Sequence, residues 1–142
     1  MKYALDTDHL SLLHQPDGET GRRLQLRLAA LDPTSVVTTV ITYEEQTRGW
    51  LAWVAKANSM SSQVEAYARL SHHLAMFCEL TVLPFDAAAA VAFQRIRSVR
   101  TKVGVMDLRI ASIVIANDAT LLTRNLRDFR LIPGLRAEDW SA

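Results

Sequence analysis

The sequence predicts one α/β domain over residues 1–142, a parallel sheet of four or five short strands flanked by helices. Three observations predict it. Short runs rich in aliphatic and β-branched residues alternate with longer amphipathic segments, the order of strand–helix–strand units. Those runs are apolar throughout, as strands covered on both faces are. At 142 residues, 49% hydrophobic and 22% charged, the chain suffices for one core and is not disordered.

Lys2–Leu5 reads as the first strand, stopped by Asp6, and Thr7 and Asp8 offer caps for a short helix over His9–Leu13. Pro16, Asp17 and Gly18 mark a turn before a helix from about Glu19 to Leu31, with Leu24, Leu28 and Leu31 on one face. Ser35–Ile41 is β-branched and reads as the second strand, with Thr42 as cap of a helix carrying Trp50, Trp53 and Val54 as an apolar stripe. A long helix over Ser61–Glu79 carries Val64, Leu70, Leu74 and Phe77, and Thr81–Phe85 is a third strand shortened by Pro84. Asp86 opens an alanine-rich helix to Arg97, and Asp107 heads another over Leu108–Ala116. Thr120–Thr123 is the fourth strand, and the tail, with Phe129, Pro133-Gly134 and Trp140, is irregular or holds one edge strand.

Sixteen basic and fifteen acidic residues leave +1, which argues against a highly basic nucleic-acid coating protein. The balance hides an asymmetry. Thirteen of the basic residues are Arg, the type suited to bidentate phosphate contacts, and nine basic residues face three acids between Arg95 and Arg136. Cys78 is alone, the N-terminal apolar run is too short for a signal peptide, and no run approaches the ~20 apolar residues of a membrane span. A cytoplasmic setting is the expectation.

In parallel sheets ligands collect at the carboxyl ends of the strands. Asp6 ends the first strand, Glu45 lies in the first turn after the second, Asp107 begins a late helix, and Asn125 and Asp128 follow the fourth strand. Singly, Asp6, Asp8 and Asp107 suit helix caps, Glu45 an exposed acid on a helix dipole, and Asn125 and Asp128 turn residues. A cap explains Asp6 poorly, because the end of an apolar strand should bury it. Gathered carboxylates repel, and a divalent cation relieves that repulsion. No His or Cys stands beside these acids at zinc-ligand spacing, so hard oxygen donors point to Mg²⁺ or Mn²⁺.

MKYALDTDHLS, TTVITYEEQTRG, VGVMDLRIASI and LLTRNLRDFRLIPGLRAEDW, in this order and spacing, resemble the PIN-domain ribonucleases, specifically VapC-type toxins of toxin–antitoxin pairs. The resemblance covers the chain end to end. It implies Asp6, Glu45, Asp107 and Asn125 as the catalytic set and Asp6, Glu45, Asp107 and Asp128 as metal ligands. Glu45, three after Thr42 and four before Gly49, is selected over Glu44. Thr7 and Thr123 would offer hydroxyls, and Arg124 would contact substrate. The family's fourth acid is Asn125 here, and Asp8 stands where the family usually has Asn. The loop from Arg97 to Asp107 is shorter than is common.

The resemblance further implies Mg²⁺-assisted hydrolysis of RNA, a VapB-like antitoxin that blocks the site, and a homodimer or a larger toxin–antitoxin assembly. Members with a similar tail cut initiator tRNA. Such chemistry needs no catalytic His: His9 and His14 read as surface or packing residues, and His72 and His73 have no acid partner in view. Arg95, Arg97, Arg100, Arg109, Arg124 and Arg127 either approach phosphates or face solvent. Trp50, Trp53 and Phe77 read as core, although two exposed Trp would mark a partner surface. Two rival readings stand beside this one. The first is a catalytically weak domain that binds RNA or a partner, which Asn125 favours. The second is a dehalogenase-type phosphotransferase using Asp6 and Asp8, which the missing Lys and acid pair oppose.

Overall fold

A computed structural model describes residues 1–14, 18–98 and 103–142. Its elements in chain order are β1 (Tyr3–Leu5), α1 (Thr7–Leu13), α2 (Glu19–Ala29), a 3₁₀ turn (Pro33–Ser35), β2 (Val36–Thr39), α3 (Val40–Lys56) and α4 (Met60–Glu79). They continue with β3 (Thr81–Leu83), α5 (Ala87–Ile96), α6 (Val105–Ala116), β4 (Thr120–Leu122), α7 (Leu126–Phe129) and β5 (Arg136–Glu138). The five strands form one sheet in the order β3-β2-β1-β4-β5, and every pairing is parallel. Ala4 sits opposite Val37 on one side and Leu121 on the other.

Successive strand residues point to opposite faces, so each face gathers its own core. Ala4, Val37, Leu83 and Leu121 pack with Ile96, Leu108, Ile110, Ile113 and Phe129 from α5, α6 and α7. Leu5 and Leu122 pack with Leu10, Leu24, Leu28, Phe77 and Trp140. The expected α/β domain with a parallel sheet covered on both faces is what forms, with five strands. Among the described residues no helix is long and apolar enough to cross a membrane.

Several boundaries differ from the sequence reading, and at α1 and α3 the reason is a side chain that caps earlier than composition indicates. The second strand stops at Thr39, whose Oγ1 accepts the Thr42 N–H at 3.1 Å, so Val40 and Ile41 are already helical and Thr42 is capped, not capping. The first helix is capped by Asp6, not by Thr7 or Asp8. Helix α6 begins at Val105 with Gly104 as cap, so Asp107 lies inside its first turn. Strand β3 ends at Leu83, ahead of Pro84. The stripe assigned to α4 is only partly inward: Phe77 is buried, but Val64 and Leu74 are 65% and 57% exposed, and His73 fills the inward position instead. Arg100 and Lys102 lie outside the described residues.

Candidate active site

Strand order brings the acids together. The chain leaves central β1 in one direction for β2 and later returns on its other side with β4, so the crevice opens at the carboxyl ends of β1 and its neighbours. Asp6 follows β1 directly, its N–H bonded to Leu122 O on β4 at 3.1 Å. It is buried, and its Oδ1 accepts the His9 N–H at 2.9 Å. Asp6 is therefore both a buried carboxylate and a helix cap, two roles that the sequence reading sets against each other. Next to it the Thr38 hydroxyl donates to Leu5 O at 2.9 Å, tying β2 to the residue that precedes Asp6.

Glu45 comes from α3, whose start is set by the Thr39 cap. The Thr7 hydroxyl reaches Glu45 Oε2 at 3.4 Å, while Glu45 Oε1 is buried with no hydrogen-bond partner among the described residues. Gln46 Nε2 holds the two helices in register, donating to Thr7 O and Ser11 Oγ at 3.4 Å each. Asp107 stands in the first turn of α6, where the helix dipole favours an anion.

Beyond β4, the buried Thr123 Oγ1 accepts the Asn125 N–H at 3.0 Å, and Asn125 Nδ2 donates to Asp128 Oδ2 at 3.2 Å. Asn125 and Asp128 thus act as a pair, with the amide holding the carboxylate.

Electrostatics place these groups near one another. Burial pushes the Asp107 carboxyl above its ordinary value, and the charges of Asp6, Asp128 and Asp8 add to the shift. Burial also raises Glu45, followed by Asp107, with Asp6 and Glu44 adding and only the Thr7 hydroxyl opposing. Every charge that moves these two groups is a carboxylate. Asp8 itself is exposed on α1.

Of the described arginines, one lies against a member of this cluster. Arg124 is exposed and acts on Asp139, Arg127 Nε lies 3.7 Å from Asp128 Oδ1, and Arg109 Nη1 turns to the Met106 sulfur at 3.6 Å. Arg95 and Arg97 are exposed.

Among the described residues, no group of three or more His, Cys, Asp or Glu is arranged to hold a metal ion as the side chains stand. The donors nevertheless fit a hard cation in kind. They are all oxygen, they repel one another without a balancing cation, and one buried oxygen, Glu45 Oε1, is orphaned.

Sequence reasoning misses two residues here. Gln46 has no signal beyond its place after Glu45. His9 reads from the sequence as surface or packing; it is the latter, fully buried, and the reading does not anticipate that its Nδ1 lies 3.6 Å from Asp6 Oδ1. Its spacing of three from Asp6, on the helix that Asp6 caps, is the signal that could have found it.

A separate cleft of about 400 Å³ lies between α1, α3 and α4. It is lined by Ser11, His14 and Gln46 on the side toward Thr7, and by Trp50, Trp53 and His73. Trp50 and Trp53 stack at 5.4 Å between centroids, and Trp53 is 37% exposed, so this pair is not core as expected.

The PIN domain family model matches residues 3–135, and the chain belongs to that family. It is 40% identical over 65 residues to a tRNA(fMet)-specific endonuclease VapC of Salmonella typhimurium, a match covering 43% of this chain and 49% of that one. It is 35% identical over 65 residues to Ribonuclease VapC2 of Rickettsia felis, covering 43% and 48%. The chain thus spans about half the length of the curated relatives it matches. A crystal structure of DNA-bound VapBC from Salmonella typhimurium superimposes with a TM-score of 0.76 at 27% identity, over 99% of this chain and 98% of that chain.

Proposed function

We propose that this chain is an endoribonuclease of the VapC type, dependent on Mg²⁺ or Mn²⁺, acting as one catalytic unit over residues 1–142 on RNA phosphodiesters, with tRNA as the substrate class. The observation that carries the reading is the cluster of Asp6, Glu45, Asp107 and Asp128 at the carboxyl edge of the sheet, with the Glu45 and Asp107 carboxyls raised by burial and by neighbouring carboxylates, and Glu45 Oε1 unpartnered among the described residues. The tRNA class rests on the name of the Salmonella relative.

In this reading Asp6, Glu45 and Asp107 hold the cation, with Asp128 positioned by Asn125 completing the set. The cation supplies a more acidic water and offsets charge that develops on the phosphate. Thr7 orients Glu45 through its hydroxyl, and the buried Thr123 sets the turn that delivers Asn125. Arg124, exposed beside the site, meets the RNA backbone by charge. With water activation supplied in this way, no side chain is needed as general base.

A VapB-like antitoxin is the proposed partner, supported by the VapBC likeness and by the apolar cleft that begins beside Thr7 and Gln46. Self-association is supported by exposed Leu51, Met60, Val64, Tyr67 and Leu74 on α3 and α4.

Incubating total RNA with the protein tests the reading. We expect cuts with Mg²⁺ or Mn²⁺ that map to few positions and vanish with a chelator. RNA that is bound but intact with either metal would instead support a binding domain, the reading that Asn125 in place of a fourth acid favours. The phosphotransferase alternative loses ground to PIN family membership and to the exposure of Asp8.

A further inference from the structure

His9 is fully buried between α1 and the C-terminal segment. Its Nε2 accepts the Trp140 N–H at 3.2 Å and lies 3.6 Å from Asp139 Oδ1. Its Nδ1 is buried, has no hydrogen-bond partner among the described residues, and lies 3.6 Å from Asp6 Oδ1.

A backbone N–H can only donate, so the nitrogen facing it must carry a lone pair. In the neutral ring the proton then sits on Nδ1, which faces the Asp6 carboxylate. The backbone N–H of His9 donates to the same Asp6 oxygen. The backbone N–H is thus hydrogen-bonded to Oδ1, the Nδ1–H faces the same oxygen from 3.6 Å, beyond hydrogen-bond distance, and Asp6 Oδ2 accepts no hydrogen bond from the described residues.

We propose that His9 is a positioning residue for Asp6. It uses the anchored tail at Trp140 to fix its own tautomer, and the Nδ1–H, facing Oδ1 from 3.6 Å, attracts that oxygen electrostatically so that Oδ2 is presented to the cation. This rests on the metal-dependent reading of the site. The C-terminal tail thereby acquires a role in the site. Trp140, packed 4.8 Å from the Tyr3 ring and 4.2 Å beneath the Arg27 guanidinium, is the fixed point from which the imidazole is aimed.

Two measurements test it. Nitrogen NMR of the wild-type imidazole should show the Nδ1–H tautomer, and an Nε2–H ring overturns the proposal without any variant. Mn²⁺ titration, read by calorimetry on folded protein, separates the two ends of the ring. His9→Gln keeps an acceptor for Trp140 but loses the donor facing Asp6, and should bind Mn²⁺ about 10-fold more weakly or worse. His9→Asn keeps a donor facing Asp6 and loses the Trp140 acceptor; it should lose less Mn²⁺ affinity than His9→Gln while the Trp140 amide exchanges faster. Wild-type affinity in His9→Gln, or equal losses in both variants, overturns the role. A wild-type protein that takes up no Mn²⁺ overturns the metal reading itself, and this inference with it.

Discussion

Asp107 and Glu45 carry their charge against burial and against neighbouring carboxylates, and the sign of that effect is testable without substrate. A carboxyl held above its ordinary value binds more protons folded than unfolded just above that value, so its contribution to stability falls as pH rises there. Replacing it with the neutral amide removes the effect. In the absence of metal, Asp107→Asn should therefore melt higher than wild type, with the gap widening from about pH 4 to about pH 7. A gap that narrows with pH would contradict the crowding of charge. Asp6 differs because it also caps α1. Asp6→Asn retains a capping oxygen and should stay within a few tenths of a kcal/mol of wild type, whereas Asp6→Ala loses about 1 kcal/mol by urea denaturation. Both variants should lose cleavage.

Helix α3 delivers Glu45, and its start is set by one hydroxyl. Thr39→Ala removes the bond to the Thr42 N–H inside a buried site and should cost about 1–2 kcal/mol in urea denaturation. Little or no loss would show that α3 is held by packing alone. This helix also marks where the sequence is legible and where it is not. The apolar run Ser35–Ile41 shows that a strand exists there, but β-branched Val40 and Ile41 suit a strand and a buried helix turn equally, so composition does not show the changeover at Thr39. The apolar stripe of α4 misleads for a related reason. His73 takes the inward position, stacked on Tyr43 at 5.5 Å and bonded to the Thr47 hydroxyl at 2.8 Å, and a polar residue hides such a position from any apolar pattern. The order of the first four strands and their helices is readable because these strands are short and largely apolar, whereas β5, Arg136–Glu138, carries two exposed charged residues and gives no apolar run.

Across the described residues, the near-neutral net charge conceals a division between clustered acids at the sheet edge and exposed arginines at Arg95, Arg97, Arg124, Arg127, Arg130 and Arg136. If contact with RNA uses about four of these arginines, log K should fall with log salt at a slope of about −3, from ~0.7 per phosphate on a single strand. A flat dependence would remove the arginines from the binding surface. The sheet that unites the two regions depends on its central strands. Leu121→Ala, at a fully buried position opposite Ala4, should cost about 2–5 kcal/mol. The acids are legible as a set because topology, not local sequence, gathers them, and a parallel sheet brings residues after β1, β2 and β4 to one edge. The tie from Trp140 through His9 to Asp6 is not, because its two ends are far apart in the chain, with Trp140 131 residues beyond His9, and only the fold brings them together. The central claim is that these carboxylates perform metal-dependent cleavage of RNA, and Asp107→Asn tests it most directly. Assayed on total RNA with Mg²⁺ beside the wild type, and shown to be folded, the variant should lose cleavage by at least about 100-fold, the scale of losing a first-rank electrostatic group. A folded variant that cuts as fast as the wild type would contradict the account.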